Sequence, residues 1–551
     1  MARSDSKMQR LLDSVGRAAE WCNLKFNAEK CAIFTIRYRG ANRVVDQNVS
    51  ATIQGRDIPV KGQQEFYNYL GRPVGMKDIS PTGFDTDSLL LDIETLVSSL
   101  LAPWQKLEAL KMFLLPRLSH LNRLGAISKK DLHRVDRAAL SAARRILSLP
   151  KSSSVSWMRM PVSAGGAGLP CLADECEVAR VVGGLKLLNS QDAMVRQLAR
   201  AQLSGVVQER NGGEPDPTDL ATFLTGRNGN LPATHFAQHY SFWTRIRQAT
   251  ARLRKSVALE WLVLENGDFA VSATQDNSTR RVMGDGRHCS AIVHRLLRDN
   301  SFVKHVSHQS QGKTAAPIAA CKAASHFFHN GFLTRFCDWR FIHRARLNLL
   351  PVNSVAALHR GREEGGRSAC CRRCGYQSET LPHVLNHCMG PHGDAYKKRH
   401  NAIVDSLVDA TRHVGRATLD STVPEYVDGA NLRPDLVIRS EHDGQKIAHI
   451  VDVTVVFENG VGALEQARQD KIDKYEPIAT ALRAQGWTVE TNDAVVLGSL
   501  GSWPQSNDAV LMSLGVSRRF LPLLRKRLVS GAIKWGRDIY TEHITGVKMY
   551  R

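Results

Sequence analysis

Three cysteines and one histidine lie close together in "CRRCGYQSETLPHVLNHC", residues 371 to 388. The potential ligands are Cys371, Cys374, His383 and Cys388, separated by two, eight and four residues. A two-residue gap lets a tight turn direct two sulfurs at one point, and a following helix can bring a His and a Cys five positions apart to the same point. The spacing therefore predicts a closed, tetrahedral zinc site.

Other interpretations of this cluster stay open from the sequence. The cysteines could be reduced residues of a small core, and Cys370 or His387 could replace one of the four ligands. Basic residues surround the cluster and are candidates for contacts to nucleic-acid phosphates, although cations are often only solvated. These residues are Arg372, Arg373, Lys397, Lys398 and Arg399.

A second set of charged residues lies in an apolar part of the chain. Asp435 is predicted one residue into a strand, and Asp452 lies inside "HIVDVTV", where a carboxylate is costly unless it is paired or bound to metal. Lys471 and Lys474 follow on one face of a predicted helix. Two carboxylates at strand ends can hold Mg²⁺ or Mn²⁺, and a lysine can then contact the phosphate. This resembles the arrangement of PD-(D/E)xK nucleases, with the lysine moved onto the helix.

The elements around these residues follow from periodicity. Residues 433 to 500 predict a strand, a hairpin turn at Asp-Gly, a long β-branched strand, a helix and a further strand, which make a mixed α/β core. Upstream, the pattern is mainly helical, and a polar loop lies at 210 to 219. The helical predictions cover 7–24, 86–148, 172–208, 235–360 (mostly helical) and 397–410.

Composition limits the class of protein. The chain has 551 residues, a net charge of +21 and a pI of about 9.7, which favours a polyanionic partner such as nucleic acid. Its 11 cysteines are mostly single, which favours a reducing compartment. Its sequence has no apolar run near the ~20 residues that a membrane span needs, so no membrane association is expected.

The order of these motifs resembles the C-terminal half of the polyprotein of site-specific non-LTR retrotransposons, the ribosomal-DNA-inserting type with a restriction-like endonuclease. The Cys/His stretch is similar to that family's CCHC zinc knuckle. "RPDLVI", "IVDVTVVFENG" and "KIDKY" are similar to its endonuclease core. Further similar stretches are "NLKFNAEKC" (palm), "YNYLG" (the strand pair after it), "KMFLLPRLSHL" (thumb), "KKRHNAI", "GSLGSWPQSNDAVL" and "VSGAIKWGRDIYTEHITG".

The resemblance implies a multidomain α+β protein. Its parts would be a reverse-transcriptase palm remnant (1–80), a thumb (81–165), a helical linker (166–334), a basic region with the CCHC zinc knuckle (335–395) and a restriction-like endonuclease (396–551). The chain contains no Asp-Asp dipeptide. The polymerase aspartates of the family are therefore expected to be missing, either because this is a fragment of a longer reading frame or because it is a decayed copy.

The function implied by the resemblance is metal-dependent nicking of target DNA, which primes reverse transcription of the element RNA. Asp435, Asp452, Lys471 and Lys474 would be catalytic, with structural Zn²⁺ at the knuckle and Mg²⁺ or Mn²⁺ at the aspartates. The expected partners are target double-stranded DNA, with ribosomal DNA as the candidate, and element RNA. The expected location is the nucleus, after cytoplasmic synthesis. The alternative is a non-catalytic, zinc-dependent nucleic-acid-binding protein derived from such an element.

Overall fold

The computed structural model describes most of the chain, with gaps. The described residues are 4–39, 42–69, 72–75, 86–123, 127–211, 213–227, 241–275, 279–359, 369–414, 416–419 and 432–550. No helix within these ranges is both long enough and apolar enough to span a membrane.

Helices dominate the described residues. In chain order they are α1 (Asp5–Trp21), α2 (Thr86–Ser98), α3 (Pro103–Ala109), α4 (Ser119–Arg123), α5 (Lys129–Ile146), α6 (Val155–Arg159), α7 (Leu172–Leu188), α8 (Ala193–Asn211), α9 (Pro217–Thr225), α10 (Phe242–Leu253), α11 (Gly286–Val306), α12 (Ala315–Ala319), α13 (Phe336–Arg346), α14 (Asn353–His359), α15 (Met389–Thr411), α16 (Val461–Ala484), α17 (Ser506–Ser513) and α18 (Leu521–Thr545). Short π-helical turns lie at Leu110–Leu114 and His383–His387.

The strands form several small sheets. They are β1 (Ile36–Arg39), β2 (Asn42–Val45), β3 (Thr52–Ile53), β4 (Arg56–Asp57), β5 (Phe66–Tyr69), β6 (Arg72–Gly75), β7 (Ala258–Val263), β8 (Phe269–Gln275), β9 (Thr279–Met283), β10 (Arg416–Leu419), β11 (Leu436–His442), β12 (Gln445–Val456) and β13 (Thr488–Gly498). The first six pair as three two-stranded hairpins in the range predicted as a palm remnant.

The largest sheet has the order β10-β11-β12-β13. The first three strands pair antiparallel, and β12 pairs with β13 parallel, with α16 as the connection between them. Asp443 and Gly444 have φ of 49° and 77°, which is the left-handed geometry that the Asp-Gly hairpin turn requires. The predicted order of strand, hairpin, strand, helix and strand is therefore confirmed, and β10 is an additional strand that the sequence did not predict.

Both faces of this sheet are covered, which explains why β12 is buried without interruption from Ala448 to Val453. Ala448 and Ile450 pack with residues of α16, whereas Val451 and Val453 belong to the larger core that includes α15 and α18. Because side chains alternate along a strand, Asp452 shares the α16 face with Ala448 and Ile450. The alternation therefore directs this carboxylate toward α16.

A second core lies upstream, from Val178 to Leu296, and is formed by α7 to α11 with the antiparallel sheet β7-β8-β9. Residues 235 to 360, predicted as mostly helical, contain α10 to α14 and also these three strands, which the sequence did not predict; residues 235–240, 276–278 and 360 lie outside the described residues. The hairpin joining β7 to β8 contains Asn266 and Gly267, and Gly267 has φ of 78°. This Asn-Gly dipeptide is the turn signal that could have revealed the hairpin.

The larger core is a single cluster of buried residues that extends from Leu89 in α2 to Ile539 in α18. The residues of the second core lie between its two parts in the sequence. The predicted linker, 166–334, corresponds to the second core only over its middle part, because Leu169, Leu172, Phe327 and Phe328 pack in the larger core. The basic helix predicted at 397–410 is longer in the structure, where α15 begins at Met389.

Candidate functional site

The first candidate site lies where β11 begins. Asp435 precedes β11 by one residue, so it is not inside the strand as predicted. Leu436 pairs with Val451, which brings Asp435 beside Asp452 on the neighbouring strand. The backbone N–H of Val453 donates to Asp435 Oδ2 at 2.7 Å. Strand pairing therefore joins two carboxylates that are far apart in the sequence.

Asp452 is an acid inside the protein, with 1% of its surface exposed. Its Oδ2 lies 2.8 Å from Lys471 Nζ of α16. Burial raises the pKa of the Asp452 carboxyl, the charge of Asp435 raises it further, and Lys471 and Tyr475 oppose this rise. The buried carboxylate is thus paired with the lysine, whose positive charge stabilises the charged form of Asp452.

The two predicted lysines have different surroundings. Lys471 is partly buried and contacts Asp452, whereas Lys474 is exposed and lies over the ring of Tyr475, 4.9 Å from its centroid. The Tyr475 hydroxyl donates to Arg433 O at 2.8 Å, which connects α16 to the segment before β11. The structure therefore brings Lys471, and not Lys474, into contact with the aspartates.

His400 of α15 also belongs to this site, although the sequence did not suggest it. Its Nε2 lies 3.0 Å from Asp435 Oδ2 and 3.2 Å from Val453 O. The hydrogen bond to Asp435 raises the pKa of His400. Burial alone would raise the pKa of Asp435, but the bonds from His400 and Val453 outweigh it and hold that pKa below its usual value.

The second candidate site is the Cys/His cluster. Cys371, Cys374, His383 and Cys388 offer ligand atoms that all lie within 4.8 Å of one another. A tight turn carries the first pair, with the N–H of Gly375 donating to Cys371 O at 2.9 Å, and the π-helical turn at residues 383–387 presents the second pair. The four predicted ligands are thus brought together.

The distances fit zinc. Cys371 Sγ and Cys388 Sγ are 3.8 Å apart, and Cys374 Sγ lies 3.3 Å from His383 Nε2. A tetrahedron with Zn–S bonds of about 2.3 Å places two sulfurs about 3.8 Å apart, whereas a disulfide would need about 2 Å. Burial lowers the pKa of His383, which favours the neutral imidazole that a metal ligand must be.

The proposed replacements do not join this group. Cys370 and His387 are both exposed, and neither belongs to a metal-ligating group within the described ranges. Instead, a residue from the far end of the chain approaches: His543 Nε2 of α18 lies 3.8 Å from Cys371 Sγ and 3.1 Å from Glu379 Oε2. Its Nδ1 lies 3.0 Å from His392 Nε2, so α18 packs against the buried side of the cluster.

The basic residues predicted to contact phosphate divide into two groups. The Arg372 guanidinium is bonded to Glu379, Arg373 Nε donates to His543 O at 2.7 Å, and the buried Arg399 donates to Leu385 O at 3.0 Å. In this structure the three guanidinium groups therefore bond within the protein: Arg372 inside the knuckle, Arg373 to α18 and Arg399 from α15 to the knuckle. Lys397 is exposed, and Lys398 is 42% exposed beside Asp394, so these two remain placed for phosphate contact.

Comparison with known proteins finds several that are similar to this chain. No family model matches it. An uncharacterized protein of Caenorhabditis elegans is 26% identical over 342 residues, which are 60% of this chain and 95% of that protein. A protein of Bradysia coprophila described as "Retrovirus-related Pol polyprotein from type-1 retrotransposable element R2" is 22% identical over 541 residues, 96% of this chain. A protein of Popillia japonica with the same description is 23% identical over 529 residues, 95% of this chain and 72% of that protein.

The chain spans about half of the length of the Bradysia polyprotein, 52%. The resemblance to retrotransposon polyproteins that the motifs indicated is confirmed by these matches, which run through most of the chain.

Proposed function

Because the chain is related over nearly its whole length to Pol polyproteins of R2 retrotransposable elements, we propose that it is part of such a polyprotein and that it nicks DNA. The strand break is made at Asp435 and Asp452, with ribosomal DNA as the target. The freed 3′-hydroxyl then primes copying of the element RNA by the RNA-directed DNA polymerase of an intact polyprotein. The site of action is the nucleus, where the target DNA is.

One observation carries this proposal: the buried Asp452, paired with the partly buried Lys471, lies directly beside Asp435. Placing charges inside a protein costs free energy, and an apolar pair of the same size would stabilise the sheet as well or better. Charged clusters of this kind, with shifted pKa values, are concentrated at functional sites. A catalytic role accounts for all three residues together.

Each residue has a separate part in the reaction. Asp435 and Asp452 would hold Mg²⁺ or Mn²⁺, which when bound polarises the scissile phosphate and lowers the pKa of the attacking water. His400 fixes Oδ2 of Asp435 through a contact of 3.0 Å. Lys471 supplies a positive charge beside the carboxylates, where it can contact the phosphate and reduce its repulsion from them.

The Cys/His cluster has a structural part in this proposal. Zn²⁺ held by Cys371, Cys374, His383 and Cys388 would fix the segment from which α15 begins. Because α15 carries both Lys397 and His400, one helical turn apart, the zinc site and the candidate catalytic site are joined by one rigid element. DNA contacted by Lys397 would thereby lie close to Asp435.

The test is nicking of a supercoiled plasmid that carries the element's insertion site. We expect nicked circles in Mg²⁺ or Mn²⁺ and none after chelation with EDTA, because the aspartates need a divalent ion to act on the phosphate. Nicking that continues unchanged in EDTA would exclude the proposed chemistry. Binding of the plasmid without nicking in either metal would favour the alternative, a zinc-dependent binding protein without catalysis.

Binding of duplex DNA is expected to weaken steeply as salt is added, because the net charge of +21 makes phosphate contacts and counterion release dominant. Replacing Lys397 and Lys398 with Gln should lower the log–log salt slope by roughly 0.9 for each phosphate that is no longer neutralised. Fluorescence anisotropy at several salt concentrations measures the slope. Lys534→Gln, an exposed lysine of α18, is the control; an equal change per lysine there would show that the slope reports net charge and not the two lysines of α15.

A further inference from the structure

One face of α11 is mostly polar, with Ala291 and Leu297 as apolar exceptions, and points away from the second core. Its residues recur every three or four positions, which places them on one side of the helix. They are Arg287, Ser290, His294, Arg298, Ser301 and Lys304. The opposite face carries Cys289, Val293 and Leu296, which are buried in the second core. Packing of the second core therefore does not explain why the other face of α11 carries polar residues.

This polar face forms one wall of two cavities, of about 850 Å³ and 630 Å³. Lys111, Pro170, Glu175 and His294 line both cavities, so the two lie side by side, and together they are here called the α11 trough. Its opposite wall includes Lys111 in the π-helical turn at residues 110–114. At 1.5 Å per residue, the span from Arg287 to Lys304 is about 26 Å.

The α11 trough has an excess of positive charge. Its lining acids are Asp174 and Glu175, and Glu175 is bonded to His294 Nε2 at 2.8 Å. The lysine of the opposite wall, Lys111, pairs with Glu108 at 2.6 Å. Three further lining cations, Lys186, Arg298 and Lys304, are exposed and form no salt bridge with any residue in the described ranges. A row of uncompensated cations in a channel concentrates field and attracts a polyanion.

We propose that the α11 trough binds a single strand of nucleic acid by its phosphate backbone. The cavity volumes are in the range of sites that enclose a ligand, which favours one strand over a duplex as the occupant. Strand-binding grooves commonly follow the backbone with a line of positive groups. The choice of a nucleic acid over an acidic peptide rests on the proposed function, but the trough lies outside the sheet that carries Asp435 and Asp452.

Recognition in the trough does not depend on base identity. Among the described residues that line it there is no Phe, Tyr or Trp on which a base could stack. Besides two acids, the trough offers cations and polar side chains such as the hydroxyls of Ser290 and Ser301, which suit phosphate oxygens. We therefore expect single-stranded DNA and RNA to bind with similar affinity and with a strong dependence on salt.

The experiment compares two double variants with the same reduction of charge. Arg298→Gln with Lys304→Gln removes two cations from the trough, whereas Arg295→Gln with Lys255→Gln removes two exposed cations that do not line it. The probes are fluorescent dT and rU oligomers of about 10 nucleotides, within the usual range of single-strand sites. An acidic peptide of equal charge is the competitor. All the residues changed are exposed, and thermal unfolding verifies that each variant is folded.

At 0.1 M salt the trough variant should bind both oligomers roughly 25-fold more weakly, and its salt slope should fall by roughly 1.4, since each phosphate neutralised on a single strand contributes about 0.7. The control variant should change little. Equal reductions in affinity for the two variants, or displacement of the oligomers by the peptide at equal concentration, would overturn the proposal. Nicking of duplex plasmid is measured in parallel: a trough variant that no longer binds the oligomers but nicks normally separates this inference from the catalytic proposal.

Discussion

Replacing either aspartate at the start of the large sheet, as Asp435→Asn or Asp452→Asn, is expected to abolish Mg²⁺-dependent nicking and leave DNA binding nearly unchanged. Each variant removes one negative oxygen ligand of a site that needs both to hold the ion. DNA binding should persist because a carboxylate without its metal repels phosphate, so the aspartates themselves do not contribute to the affinity for DNA. The measurements are the rate of conversion of supercoiled to nicked plasmid and the anisotropy of a labelled duplex.

The lysines of α16 provide a matched pair for the same experiment. Lys471→Ala should slow nicking by ~100-fold, the scale expected when one charged group that stabilises the transition state is removed. Lys474→Ala is the control, because it removes the same residue type one helical turn away, from a side chain that lies on Tyr475 and not on Asp452. A larger decrease for Lys474→Ala than for Lys471→Ala would contradict the assignment of Lys471.

A folding control keeps these results interpretable. Asp452 is buried, and removing its charge relieves both its desolvation and its repulsion from Asp435. We therefore expect the thermal midpoint of Asp452→Asn to match or exceed that of the parent protein. Undiminished nicking by the folded double variant, Asp435→Asn with Asp452→Asn, would show that the reaction takes place elsewhere.

Loss of zinc is expected to have the second large effect. Elemental analysis should find about one zinc per folded chain, and Cys371→Ser or Cys388→Ser should reduce it below ~0.2, because structural sites depend on all four ligands. Cys370→Ser is the matched control: this neighbouring thiol is exposed and lies outside the ligand group. Loss of zinc in the control variant would indicate that Cys370 replaces one of the assigned ligands.

Chelation should also loosen the end of α18. His543 lies 3.8 Å from Cys371 Sγ, and Arg373 bonds to the carbonyl of His543, so the last turn of α18 rests on the cluster. Hydrogen exchange after chelation should therefore increase in residues 371–388 and in the last turn of α18, while β11 to β13 stay protected. Unchanged exchange in α18 would show that its packing does not depend on the metal.

The sequence by itself determined the features whose parts are close along the chain. The four ligands from Cys371 to Cys388 are predictable because a turn and a helical turn suffice to bring them together. The apolar run around Asp452 predicted both its strand and its burial, and the Asp-Gly dipeptide predicted the hairpin. The order of such motifs was sufficient to identify the relation to retrotransposon polyproteins.

Only the tertiary structure decided which residues meet from distant elements. The contact of His400 with Asp435 depends on how α15 packs across the sheet, and that of His543 with the cluster depends on α18, which follows Cys371 by more than 150 residues. Spacing left Lys471 and Lys474 equivalent, whereas the packing of α16 on β12 brings only Lys471 to Asp452. Likewise, the charge of an arginine such as Arg399 indicates nothing of its burial, which depends on packing and is accompanied here by a bond to Leu385 O. Sequence spacing determines the contacts between residues that are close along the chain, whereas contacts between distant elements depend on how those elements pack.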